Sequence, residues 1–212
     1  MSGGLRGLYA ITDGAGLPTL VASVESAIRG GARLIQYREK SADPGRRLGE
    51  ARALLELCRG HGVPLIVNDD VALAAEAGAD GAHLGRDDGR IQDARVRLGP
   101  RAVIGVSCYD SLERAVQAAH DGADYVAFGS FFESGSKSGA VRAPLTLLTE
   151  ARRRLDIPLC AIGGITPQNG AELVAAGADM LAAINGVFAA TDVEAAAKAY
   201  SNLFTQPRDK AR

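Results

Sequence analysis

The sequence predicts an α/β protein of the single-domain (β/α)8 TIM-barrel class, and three observations predict it. A helix end, a glycine and a short apolar strand recur four times: Gly30-Gly31-Ala32-Arg33-Leu34-Ile35-Gln36, Ala77-Gly78-Ala79-Asp80-Gly81-Ala82-His83-Leu84, Asp121-Gly122-Ala123-Asp124-Tyr125-Val126-Ala127-Phe128 and Ala176-Gly177-Ala178-Asp179-Met180-Leu181. A glycine at that place suits the left-handed position that ends a helix. Four further apolar runs, over 7–11, 64–67, 102–106 and 158–162, fall between these repeats and bring the strand count to eight. An open doubly wound sheet is usually built from about five or six strands, so eight alternating with eight helices favour a closed barrel. The 212 residues suit one such barrel, and no linker divides them.

The elements follow in order. Helices are expected over 19–29, 44–59, 70–77, 91–98, 111–120, 144–155, 167–176 and 193–204. The second carries Leu48, Leu54, Leu55 and Cys58 near helical spacing. Pro64 halts the chain before Leu65-Ile66-Val67, an apolar run that reads as a strand buried on both faces. That strand delivers Asn68 and Asp69 to its carboxyl end, where ligands bind in parallel α/β folds. The core is expected over 7–204, with a polar tail over 205–212.

Composition excludes several function classes. Net charge is −1, so no global basic field speaks for nucleic acid. Cys58, Cys108 and Cys160 are odd in number and far apart, which fits neither a disulfide framework nor a structural zinc cluster and suits a reducing cytosol. The first seven residues lack a basic-then-apolar signal pattern. The most apolar window, 175–190, is interrupted by Asp179 and Asn185, so no membrane partner is expected. Trp is absent and aromatics are few, which disfavours a stacking platform for bases or sugars. The expected setting is cytoplasmic and the partners small molecules; a homo-oligomer is compatible with the sequence.

In a barrel, the residues that follow the strands share one face. Here those are Thr12-Asp13, Gln36-Tyr37-Arg38-Glu39-Lys40, Asn68-Asp69-Asp70, Gly85 to Asp88, Ser107-Cys108, Gly129 to Lys137, Gly163-Gly164-Ile165-Thr166 and Asn185-Gly186, with His83 inside the fourth strand. Gly163-Gly164 lets backbone amides approach an anion, and Thr166-Pro167 reads as an N-cap followed by proline at the first helical position. Loops after strands seven and eight, with Asn185-Gly186 suited to open a short helix, are the usual barrel phosphate site, and this reading is favoured over a plain glycine turn. Arg38, Lys40 and Lys137 bring positive charge to the same face, and Asp69 and Asp88 bring carboxylates. Together these suit a polyphosphate held through Mg²⁺. Each run taken alone reads as a solvated helix entry or a loop acid, and only their joint placement favours the site. Ser134-Gly135-Ser136-Lys137 sits in a Gly/Ser-rich loop suited to a lid, and on spacing alone a plain surface loop is an equal reading. His83 reads first as a satisfied core histidine, Cys160 as core, and Cys108 as no nucleophile.

These residues, in this order, resemble the thiamine-phosphate synthase (thiamine-phosphate pyrophosphorylase) family over about 7–204. The resemblance rests on Tyr9-Ala10-Ile11-Thr12-Asp13, Gln36-Tyr37-Arg38-Glu39-Lys40, Val67-Asn68-Asp69, His83-Leu84-Gly85 with Asp88, Gly105-Val106-Ser107, Ser134-Gly135-Ser136-Lys137 and Ala161-Ile162-Gly163-Gly164-Ile165-Thr166. It implies a transferase that joins 4-amino-5-hydroxymethyl-2-methylpyrimidine diphosphate to 4-methyl-5-(2-phosphoethyl)thiazole, giving thiamine phosphate and pyrophosphate. It implies Mg²⁺ at Asp69 and Asp88, and diphosphate contacts from Arg38, Lys40, Asn68 and Lys137. Gln36 would lie near the pyrimidine, and Ser107 near the pyrimidine or the departing diphosphate. Ser134 and Ser136 would serve the thiazole side, and Gly164, Ile184 and Asn185 the thiazole phosphate. Three places depart from the family's usual pattern: Ser134-Gly135-Ser136-Lys137 for Thr-x-Thr-Lys, Glu133 for a common proline, and Asn185-Gly186 for Ser-Ala.

The competing readings are a thiazole tautomerase, which needs a general base and no diphosphate machinery, another phosphate-binding barrel such as a sugar-phosphate epimerase, and a non-enzymatic thiazole-phosphate sensor. Asp69, Asp88, Arg38, Lys40 and Lys137 together favour the synthase over the tautomerase, an epimerase would not need the Ser134-Gly135-Ser136-Lys137 loop, and a pure sensor needs no metal ligands and leaving-group cradle at one mouth.

Overall fold

The computed structural model describes residues 5–14, 16–133 and 142–205. Eight parallel strands close in sequence order: β1 (Gly7–Ile11), β2 (Leu34–Tyr37), β3 (Leu65–Asn68), β4 (Gly81–Leu84), β5 (Val103–Tyr109), β6 (Tyr125–Phe128), β7 (Leu159–Ile162) and β8 (Met180–Ala183). The barrel is sealed by β1 against β8, with Gly7 beside Met180 and Tyr9 beside Ala182. Helices cross between them: α1 (Leu17–Arg29), α2 (Pro44–Gly60), α3 (Val71–Ala77), α4 (Ile91–Leu98), α5 (Leu112–His120), α6 (Leu145–Arg154), α7 (Pro167–Ala176), the short α8 (Asn185–Phe188) and α9 (Val193–Ser201). No helix among the described residues is long and apolar enough to cross a membrane.

The period of two along each strand separates two cores. Tyr9, Ile11, Leu34, Ile66, Tyr125, Cys160, Met180 and Ala182 fill the barrel interior. Their neighbours Leu8, Ile35, Leu65, Val67, Ile104, Val126, Leu159 and Leu181 pack outwards against the helices. The Gly-Ala-Asp of the repeat has its physical reason at the amino end of the barrel. The carboxylates of Asp80, Asp124 and Asp179 accept the amides of Leu65 (2.9 Å), Ile104 (2.7 Å) and Leu159 (2.8 Å), each tying one strand's start to another's approach. Arg95 and Arg152 add ion pairs to Asp124 and Asp179. These repeated acids sit away from the mouth and serve stability, as that end of a barrel does.

Boundaries differ from the sequence reading where polar residues continue a strand. β2 includes Gln36, β3 includes Asn68, and β5 runs to Tyr109 rather than stopping at 106. The extension of β5 carries a register shift between Ser107 and Tyr109 against β6, a local bulge. The final helix breaks at Ser201 and continues as one 3₁₀ turn, Asn202–Phe204. The expected tail, 205–212, lies outside the described residues apart from Thr205, and so do Ser134, Ser136 and Lys137.

Candidate active site

At the carboxyl end of β3 the chain turns sharply. Asp69 takes a left-handed φ of 62°, which Asp tolerates better than most side chains, and its amide donates to the His83 carbonyl at 2.8 Å. Three consecutive polar residues thereby take different tasks. Asp70 caps α3 by accepting the Leu73 amide at 2.8 Å and pairs with Arg47 at 2.9 Å. Asn68 donates its side-chain amide to the Asp69 carboxylate at 2.6 Å. Asp69 itself faces Asp88, whose carboxylate accepts the Gly85 amide at 2.6 Å. Burial and the adjoining Asp88 push the Asp69 carboxyl up to about 6, against the pull of Asn68 and Arg38. Two carboxylates this close resist ionising together unless a cation joins them. Their donors are all oxygen, which suits a hard divalent ion. No group of three or more His, Cys, Asp or Glu side chains is gathered for a metal among the described residues. A pair of carboxylates fits Mg²⁺, which keeps several waters and takes its other ligands from phosphates.

Cations line the opposite wall. Thr12, fully buried at the end of β1, holds the Arg38 backbone twice: it accepts the Arg38 amide at 2.9 Å and donates to its carbonyl at 3.2 Å. Behind that loop, buried Glu50 accepts from Tyr37 at 2.7 Å and from Arg46 at 2.8 Å, and Arg46 also pairs with Glu39 at 3.2 Å. This network fixes the segment from β2 to α2. The cleft so formed has a volume of about 550 Å³ and is lined by Arg38, Lys40, Arg47, Asn68, Asp69 and Asp88 among others. Arg47 was not singled out by the sequence. It lies in a helix whose charge pattern reads as an ordinary solvated face, yet its Nε is buried without a hydrogen-bond partner among the described residues.

Inside the barrel, below that cleft, Gln36 and Ser107 are joined through other polar side chains. Gln36 donates to the Tyr9 hydroxyl at 2.6 Å, Tyr9 meets the Tyr125 hydroxyl at 2.7 Å, Tyr125 meets His83 Nδ1 at 2.9 Å, and His83 Nε2 meets Ser107 Oγ at 2.9 Å. Burial pushes His83 down to about 4, so the ring is neutral at ordinary pH. His83 is therefore the satisfied interior histidine expected, and it also touches a site residue. Cys108 faces the helix layer on the outer side of β5, and burial pushes its thiol up to about 12, so it is no nucleophile. Burial likewise raises the Cys160 thiol in the interior.

The opposite side of the mouth is built from backbone. Gly163 and Gly164 have φ of 103° and 61°, and a Cβ on Gly164 would lie 2.2 Å from the Glu133 carbonyl oxygen. Thr166 caps α7 in a capping box with Asn169, whose side chain also donates to the Gly164 carbonyl at 3.1 Å. Ile184 heads α8 with no side-chain cap, so the first amides, of Asn185 and Gly186, have no partner among the described residues. Glu133 pairs with Arg142 at 2.5 Å, so the described residues flanking 134–141 meet.

The fold thus gathers Arg38, Lys40, Asn68, Asp69 and Asp88 in one cleft, sets Gln36 and Ser107 in the interior beneath it, and places Gly164, Ile184 and Asn185 after the seventh and eighth strands. Besides Arg47, Tyr9 and Tyr125 were missed. Their aromatic type reads simply as strand preference, and only the inward phase that Tyr9 shares with Ile11 hints at an interior role.

A family model described as thiamine monophosphate synthase matches residues 8–187. A thiamine-phosphate synthase of Azoarcus sp. (strain BH72) is 60% identical over 201 residues, covering 94% of this chain and 98% of the relative. One of Thioalkalivibrio sulfidiphilus is 54% identical over 204 residues, covering 94% and 96%. The solved structure of a thiamine phosphate pyrophosphorylase from Pyrococcus furiosus superposes with a TM-score of 0.83 at 35% identity, covering 94% of this chain and 95% of that one.

Proposed function

The chain belongs to the thiamine monophosphate synthase family, and from that premise we propose how its own residues carry the reaction. The activity is that of a transferase: it joins 4-amino-5-hydroxymethyl-2-methylpyrimidine diphosphate to 4-methyl-5-(2-phosphoethyl)thiazole and releases pyrophosphate. The observation that carries the residue assignment is the cleft in which the Asp69–Asp88 pair faces Arg38, Lys40 and Arg47.

In this reading Asp69 and Asp88 hold Mg²⁺, which when bound supplies charge neutralisation to the diphosphate. Arg38, Lys40 and Lys137 take the remaining phosphate oxygens, and Asn68 both orients Asp69 and contacts the diphosphate. These groups make pyrophosphate a competent leaving group by stabilising the charge that develops on it. Gln36 and Ser107 orient the pyrimidine, whose amino group stabilises a cationic methylene by electron donation. The amides around Gly164, Ile184 and Asn185 anchor the thiazole phosphate, with Ser134 and Ser136 on the thiazole side, so that the thiazole nitrogen is held in line for attack. No protein nucleophile is required, in keeping with the buried, raised cysteines. A working place in the cytoplasm follows from the same reading. A tautomerase would leave the paired carboxylates and facing cations without a task.

The test mixes the purified protein with both substrates and Mg²⁺ and follows pyrophosphate and thiamine phosphate, beside an Asp69→Ala variant and an EDTA control. Equal formation of both products, lost in both controls, is expected. Thiazole phosphate binding without product would overturn the assignment.

A further inference from the structure

The strand ladder between β4 and β5 ends at Leu84 beside Val106. Both strands then run on into residues given a role above: Asp88 lies in the loop after β4, and Ser107 directly follows the last rung on β5. No backbone hydrogen bond joins 85–88 to 107–110 among the described residues. One side chain spans that gap instead. Arg114, on α5, donates from Nε to the Ser107 carbonyl at 2.8 Å and from Nη2 to the Gly85 carbonyl at 3.2 Å. The Gly85 amide in turn donates to the Asp88 carboxylate at 2.6 Å. A single guanidinium thus reaches, through the backbone of Gly85 and of Ser107, two side chains that stand on different strand ends.

Arg114 is itself firmly seated. Ser111 caps α5 by accepting the Arg114 amide at 3.2 Å, so the residue stands in the first turn of that helix. A cation there meets the positive end of the helix dipole, which local preference disfavours. Such breaches of local preference gather at functional sites. The residue is half-buried, and hydrogen bonds from a charged donor are stronger than neutral ones. Its planar fork holds two acceptors in a fixed geometry, which a flexible ammonium does not. A second contact crosses the same gap. The guanidinium carbon of Arg86, in the loop after β4, lies 5.0 Å from the centroid of the Tyr109 ring, and that of Arg114 lies 5.8 Å from it. Both cations are attracted by that ring.

We propose that Arg114 is a positioning residue for the reaction: it clamps the loop after β4 to the end of β5, and so holds the Asp88 carboxylate in place for the metal and the diphosphate and Ser107 in place for the pyrimidine. The inference rests on the roles given to Asp88 and Ser107 above. Arg114 acts only through those two residues. Its effect is confined to one side of the mouth, because among the described residues its hydrogen bonds reach none of Gly164, Ile184 and Asn185. The grip on the thiazole phosphate is therefore independent of it.

The experiment compares the wild type with Arg114→Met, which removes both donors, and with the milder Arg114→Lys, which keeps the charge and loses the fork. Rates are measured well below each protein's thermal midpoint. Arg114→Met is expected to raise the Mg²⁺ concentration for half-maximal rate about 10-fold and to lower kcat about 10-fold, the usual scale for groups that orient a metal ligand. The KM for the thiazole phosphate is expected to stay unchanged. Arg114→Lys is expected to shift the same two quantities in the same direction by less, and it carries the test if Arg114→Met fails to fold. A lowered midpoint with the Mg²⁺ requirement and kcat unchanged would reduce Arg114 to packing and overturn the proposal. Hydrogen exchange at the Gly85 amide gives a second readout that needs neither turnover nor metal. The variants are expected to speed it, by about 10-fold in Arg114→Met, while the Thr166 amide across the mouth, held by Asn169, exchanges as before. Unchanged exchange at Gly85 would overturn the clamp. A wild type that forms no product, beside faster Gly85 exchange in the variants, would fault the roles given to Asp88 and Ser107 and leave the clamp standing.

Discussion

Neutral, buried His83 makes the fold sensitive to acid in a calculable way. Its ring falls from 6.5 to about 4 on folding, chiefly through burial, with Asp88 pulling weakly the other way. Between those values the unfolded chain binds a proton that the folded chain does not. Stability therefore rises with pH across this window and is lost as pH falls through it. At about 1.4 kcal/mol per pK unit, the full shift is worth roughly 3 kcal/mol by the time pH reaches 4. Between pH 7 and pH 5 the cost is about 2 kcal/mol, since an ordinary histidine is already mostly protonated at pH 5. Asp69 works in the opposite sense: pushed up to about 6, it holds a proton in the folded chain that the unfolded chain has released, so moderate acid favours the fold through that group. A His83→Gln variant separates the two, because it keeps Asp69 and removes the imidazole. Urea unfolding at pH 7 and pH 5 is the assay. The wild type is expected to lose about 2 kcal/mol more than the variant between the two pH values, a midpoint difference of roughly 1 M at the slopes usual for urea. Equal losses in the two proteins would show that His83 titrates as it would in water, and the reasoning from its burial would fail.

Replacing Asp69 by Asn should cut turnover roughly 100-fold or more while leaving the thermal midpoint unchanged or raised, because the like-charged Asp88 loses its competitor; steady-state kinetics with a Mg²⁺ titration checks both the loss and its dependence on metal. Arg47→Met should raise KM for the pyrimidine diphosphate about 10-fold with a smaller change in kcat, and an unchanged KM would confine Arg47 to its ion pair with Asp70. Gly186→Ala should destabilise by about 1–3 kcal/mol, since the new methyl would lie 2.1 Å from the Tyr200 hydroxyl; Tyr200→Phe in the same chain should recover part of that loss in a denaturation experiment.

What the sequence displays and what it conceals divide along physical lines. The alternation of strands and helices, the cap at Thr166, and the clustering of charge at the strand ends were legible, because each depends on residues within a few positions of one another. Gln36 and Ser107 were expected beyond their strands and lie within them, because a polar residue continues a strand when the barrel interior offers it partners. Those partners are 27 residues away for Gln36 and 24 for Ser107. Nothing local in the sequence marks Tyr9 and Tyr125 as polar groups rather than apolar bulk, and nothing local marks Arg47 as a wall of the cleft.

The glycines make the same point from the other direction. Within a strand, a glycine such as Gly105 reads as a weakness, and Gly186 after β8 reads as a departure from the more usual alanine. In the structure each is one half of a pair. Gly105 leaves room for the Tyr125 ring, and Gly186 leaves room for the Tyr200 hydroxyl, which donates to the Ile165 carbonyl at 2.7 Å. Tyr200 lies on α9 and Ile165 follows β7, so this bond ties the last helix to the loop that carries Gly164. An alanine at 186 fits without strain only where position 200 withdraws its oxygen. The glycine at 186 is thus matched to a buried tyrosine 14 residues away. For that reason Gly186 and Tyr200 should exchange together, and a single change at either should be read first as a packing defect and only then as a change in phosphate affinity.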